Sequence, residues 1–93
     1  MDRTAFGNKK YNTILDNTGE MKQLDVGNWV KDYVKQNYNK VIQGVTAQEM
    51  NVNGEDMSVF TAQVQDADGM VQKLKFSWSE VNNAIKMSSQ EMG

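Results

Sequence analysis

The chain contains neither cysteine nor histidine. The first absence removes disulfides, thiolate nucleophiles and thiolate metal ligands; the second removes the usual general base and the commonest transition-metal ligand. Small secreted domains usually staple themselves with disulfides, so a thiol-free chain fits the cytoplasm. No segment approaches the roughly 20 apolar residues of a membrane span, and residues 1–20 lack the apolar stretch of a signal peptide. Asn is abundant, yet no Asn-x-Ser/Thr sequon occurs, and there is no Gly-rich phosphate loop.

A further absence is local. Between Val41 and Gln72 there is no Lys or Arg, while Glu49, Glu55, Asp56, Asp66 and Asp68 stand in that stretch. Both flanking segments carry a small basic excess, and the whole chain has a net charge of −2.

What is present suffices for one domain. The 93 residues are 39% hydrophobic and 9% aromatic, with the aromatics in periodic runs. A domain of this size buries only about 60% of the surface its unfolded chain exposes, so few elements share the core. Residues 1–9 have no usable period and read as a flexible arm, 10–88 as the single domain, and 89–93 as a polar tail.

Tyr11, Thr13 and Leu15 alternate with polar neighbours, apart from Ile14, and Asp16-Asn17-Thr18-Gly19 reads as a turn with Gly19 left-handed. Met21–Leu24 completes the expected N-terminal hairpin. Val26, Trp29, Val30, Tyr33, Val34 and Tyr38 then recur at the spacing of a helix with one apolar face, with Asp25 as its N-cap, over 26–38. Three strand-like runs follow. Val41, Val45 and Ala47 share one parity and Met50 and Val52 the other, which a β-bulge near Ala47–Glu49 accounts for. Asn53-Gly54 is a hairpin dipeptide. Phe60, Ala62 and Val64 alternate with Val59, Thr61 and Gln63. After Asp66-Ala67-Asp68-Gly69, Leu74, Phe76 and Trp78 alternate with Lys73, Lys75 and Ser77. Ser77-Trp78-Ser79-Glu80 matches a capping box, and Trp78, Val81, Ala84 and Ile85 form a helical stripe over 79–87.

The expected fold is therefore α+β: an N-terminal hairpin, then helix, three strands and helix, with both helices on one face of an antiparallel sheet of three to five strands. The core would comprise Trp29, Val30, Tyr33, Phe60, Ala62, Val64, Leu74, Phe76 and Ile85. The other face, with Val59, Thr61, Gln63, Lys73, Lys75 and Ser77, would stay wet.

Candidate chemistry is sparse. Asp66-Ala67-Asp68-Gly69 begins like a calcium loop, but its Gly comes too early and the twelfth position is Ser77 rather than a bidentate Glu. It reads as a turn, as does Asn51-Val52-Asn53-Gly54-Glu55-Asp56. Ser77 and Lys75 share a strand face at a separation of about 7 Å, where an exposed Lys keeps its high pKa and serves poorly as a base. Trp29, Tyr33 and Tyr38 at helical spacing read as core and boundary residues before a base-stacking platform. No catalytic, metal or cofactor site is expected, and the chain does not read as an enzyme.

The helix, three strands, helix order resembles the topology of double-stranded-RNA-binding domains. That family places a Lys-rich cluster at the start of the last helix, where this chain has Ser79-Glu80-Val81-Asn82-Asn83. Its first strand loop here is Asn53-Gly54-Glu55-Asp56, acidic where phosphate contacts are needed. Topology alone does not carry function.

The expectation is a small acidic protein-binding module, a regulator or inhibitor of a basic, nucleic-acid-handling partner, of the kind phages and mobile elements encode. Its docking residues would be Glu49, Glu55, Asp56, Asp66 and Asp68 at the hairpin ends, or Gln63, Lys73 and Lys75 on the open face. The alternative is nucleic-acid binding through Lys9, Lys10, Lys31, Lys35, Lys73 and Lys75, should these converge.

Overall fold

The structure, a computed structural model, describes residues 11–92; the arm expected over 1–9 lies outside them. Six elements follow one another: β1 (Asn12–Asp16), α1 (Gln23–Asn37), β2 (Lys40–Val52), β3 (Glu55–Gln65), β4 (Val71–Ser79) and β5 (Ala84–Met92). The strands form one antiparallel sheet in the order β1-β5-β4-β3-β2, and α1 lies on one face of it.

Helix α1 forms because Val26, Val30 and Val34, one turn apart, place a single stripe against the sheet, and all three are buried. It begins earlier than the periodicity predicts. Asp25 is not the N-cap but the third helical residue, where its carboxylate accepts the Lys22 N–H at 3.1 Å. Trp29 and Tyr33, expected in the core stripe, flank it half-buried. Their rings stack at 5.4 Å, and Tyr33 meets Phe76 edge-on at 6.0 Å.

On the sheet, Phe60, Ala62, Val64, Leu74, Phe76, Trp78 and Ile85 face the helix and are buried. Each fully buried Val, Leu, Ile or Phe among them contributes about 1.5–3 kcal/mol relative to exposure. The expected alternation in β3 and β4 is observed. The opposite face is not wholly wet: Val59, Ser79 and Ser88 on it are buried.

Further expectations are corrected. Among the described residues there is no second helix. Ser79 Oγ does accept the Asn82 N–H at 3.0 Å, as an N-cap would, but it caps only one turn. Asn83 then adopts a left-handed φ of 56° and the chain turns back as β5, leaving Val81 77% exposed. Asn and Asp tolerate that conformation where a helix interior does not use it. Residues 89–92, read as tail, are the end of β5. With one helix, the likeness to double-stranded-RNA-binding topology falls away.

The N-terminal hairpin does not form either. Gly19 is left-handed as expected (φ 64°), but Met21 and Lys22 lead into α1, and β1 pairs with β5 instead. Finally, β2 pairs continuously with β3 from Thr46 to Val52, so no bulge lies at 47–49. The irregularities fall between Val41 and Thr46. The parity change in β2 is a change of face rather than a bulge: Val41, Val45 and Ala47 stand on the helix side, Met50 and Val52 on the other.

Candidate docking edge

Strand β2 is the last of the sheet, and its outer edge has no neighbour among the described residues. Twelve of its thirteen residues are exposed; Val45 is half-buried. Val41, Ile42, Met50 and Val52 leave 40–48% of their surface in solvent. Native sheets usually blunt such an edge with Lys, Pro, a bulge or a covering element. Here the irregular pairing of Val41–Thr46 blunts one half only. From Thr46 to Val52 the strand is regular and carries a single charge, Glu49.

Two surfaces adjoin this edge. On the helix side a groove runs between α1 and β2 as two hollows of about 270 and 300 Å³ that share Lys31 and Val45. Leu24, Gly27, Val34, Val41, Ala47 and Phe60 supply its apolar wall, with Gln23 and Asn28 at one end. Gly27 lies over Phe60, where an added Cβ would meet the phenyl ring at 3.4 Å, an ordinary van der Waals contact. On the other side Met50, Val52, Met57, Val59 and Tyr11 line a shallow hollow of about 430 Å³ with Lys75 and Lys86. Exposed Met-rich apolar surface of this kind adapts to a partner's shape.

The sequence-predicted residues separate into three groups. Glu49, Glu55 and Asp56 lie at or near the β2–β3 turn, and Asp66 and Asp68 at the β3–β4 turn. Gln63 pairs with Lys73 across β3 and β4, on the same open face as Lys75. Glu49, Asp56 and Asp68 are exposed.

Glu55 and Asp66 instead have structural work. Half-buried Glu55 accepts the hydroxyl of buried Ser79. Asp66 Oδ1 accepts the Met70 and Asp68 N–H groups at 2.9 and 3.0 Å, and its Oδ2 accepts Gln72 Nε2 at 2.8 Å. These bonds, that from Met70 foremost, hold its carboxyl below the usual carboxylate range. Tyr38 lies half-buried beyond the helix end, where burial foremost, with Tyr33 and Asp66 nearby, pushes its phenol up.

The four described lysines of the nucleic-acid reading do not converge. Lys31 and Lys35 sit on the exposed flank of α1, Lys73 and Lys75 on the opposite side of the sheet, and Lys9 and Lys10 lie outside the described residues. The groove beside α1 and the Met-lined hollow were not anticipated. The signal for the hollow was the parity change at Met50 and Val52. The groove had no local signal, because Leu24 and Val45 meet only through the fold.

No described helix is long and apolar enough to cross a membrane. Among the described residues no group of three His, Cys, Asp or Glu is placed to hold a metal ion. No protein-family model, no curated protein and no solved structure matches the chain.

Proposed function

We propose that the chain is a protein-binding module, not an enzyme, that receives a partner segment along β2. The observation that carries this reading is the thirteen-residue edge strand, which has no outer neighbour among the described residues, is regular from Thr46 to Val52, and is flanked on both sides by apolar hollows. Unpaired N–H and C=O groups on such an edge can accept a partner strand, with main-chain bonds supplying affinity and side-chain pockets supplying specificity. Exposed Glu49, Asp56 and Asp68 suit a partner with basic groups around the contact, where rim charges steer encounter more than they hold the complex. Such a module acts by occupying a partner's surface, as a regulator or inhibitor does.

The test is capture from host-cell extract by the wild-type chain, by a Met50→Lys/Val52→Lys variant, and by an exposed-site control, Val81→Lys. The reading expects proteins retained by wild type and control to be lost from the edge variant. Equal capture by all three, with all three folded, contradicts it.

A second reading is favoured by one observation: Lys73, Lys75 and Lys86 share the middle of the open face with Thr61 and Gln63. Three lysines on one face could contact a phosphate backbone, and affinity of that kind falls steeply with salt. Anisotropy titration of duplex RNA and DNA at about 0.15 M salt separates the two, with micromolar binding required by the second.

A further inference from the structure

We infer that the groove between α1 and β2 takes an acidic peptide segment anchored by an apolar side chain. This deepens the docking reading above and rests on it: the acidic segment fills the groove, while the basic groups that suit Glu49, Asp56 and Asp68 belong to parts of the partner outside it. The floor and walls are mostly apolar, with Val34, Val45, Ala47 and Phe60 beneath an exposed Leu24 and with Gln23 and Asn28 as the uncharged polar lining. That composition suits one or two aliphatic or aromatic side chains, in the manner of a groove that excludes water around an anchor.

The charge is one-sided. Among the described residues lining the two hollows, Lys31 and Lys35 are the charged ones, and no carboxylate lines them. They stand one helical turn apart and so form a row along the rim. The helix itself is segregated. At about 100° per residue, Leu24, Gly27, Lys31 and Lys35 fall on the flank toward β2, whereas Asp25 and Asp32 fall on the other flank with Trp29 and Tyr33. Glu49, the carboxylate on the helix side of β2, stands beyond Ala47 and does not line the groove. A segment that alternates apolar and acidic residues would set its apolar side chains between Val45 and Leu24 and its carboxylates against the lysine row. A basic segment would meet uncompensated repulsion there.

The test uses the full chain, labelled for amide NMR, and two synthetic octapeptides, one alternating glutamate and leucine and one alternating lysine and leucine. The inference expects the glutamate–leucine peptide to shift the amides of Gly27, Gly44, Val45 and Ala47, and to bind at least about tenfold tighter than the other. A Lys31→Glu/Lys35→Glu variant should reverse the preference; both side chains are exposed, so its melting temperature should stay at the wild-type value. Equal affinity for the two peptides, with shifts still along β2, overturns the acidic specificity and leaves β2 as a docking edge. A preference unchanged in the variant overturns the role of the lysine row in the same way. No shift along β2 with either peptide overturns both readings.

Discussion

Trp78 and Thr18, sixty residues apart in sequence, meet where the indole N–H donates to Thr18 Oγ1 at 3.0 Å. The same hydroxyl donates to Asn83 Oδ1 at 2.7 Å, and the Thr18 N–H donates to the Asn83 carbonyl at 3.0 Å. This cluster ties the β1–α1 loop to the β4–β5 turn and fixes the register of β1 on β5. Thr18→Val keeps the shape but leaves the buried indole N–H without its acceptor, which should cost about 1–3 kcal/mol. Thr18→Ser should recover most of that. Urea unfolding of the three chains decides it; equal midpoints would mean the cluster contributes nothing.

Core aromatics should rank by burial rather than by position on the helix. Phe60→Ala, at a fully buried site, should lose about 3–5 kcal/mol. Trp29→Ala should lose less, because Trp29 is only half-buried, stacked on Tyr33 at the border of the core. The same urea series checks the order, and a larger loss at Trp29 would contradict the placement of α1.

Adjacent carboxylates at the β2–β3 turn should behave differently. Asp56→Lys exchanges an exposed charge that accepts only the Asn51 amide at 2.9 Å, and should stay within about 0.5 kcal/mol of wild type. Glu55→Lys removes the acceptor of a buried Ser79 hydroxyl and should lose about 1–3 kcal/mol. Thermal melts of the two variants test this, and equal losses would mean that Glu55 is an ordinary turn residue.

Acid should loosen the β3–β4 turn. Asp66 has its folded pKa depressed, so its contribution is present above the ordinary carboxylate pKa of about 4 and is lost as pH falls through the lower folded value. Asp66→Asn should be less stable than wild type at neutral pH, with the gap closing toward pH ~2. Urea midpoints across that range measure it; a gap independent of pH would assign the difference to geometry rather than to charge.

Much of the sheet was legible because β3 and β4 alternate cleanly and Asn53-Gly54 specifies its turn, with both residues left-handed (φ 54° and 84°). The valine stripe of α1 was legible for the same reason of period. What misled was local chemistry with two meanings. Ser79 caps a single turn through the same bond that starts a helix, and Ala84-Ile85 fits a helical stripe as well as a strand end. The pairing of β1 with β5 depends on contacts across the whole chain, which no local pattern announces. In the site, the carboxylates were visible as an excess of one charge, but sequence does not separate exposed Asp56 from hydrogen-bonded Glu55. The groove arises where α1 passes β2, from Leu24 to Lys35, and tertiary packing alone brings those residues together.

The most direct measurement of the docking edge is amide NMR of the labelled chain in host-cell extract against the same chain in buffer. Partner engagement along β2 should broaden or shift the amides of Val45–Val52 first, with β1 and β5 little changed. Perturbation confined to Lys73, Lys75 and Lys86, with β2 unaffected, would contradict the account.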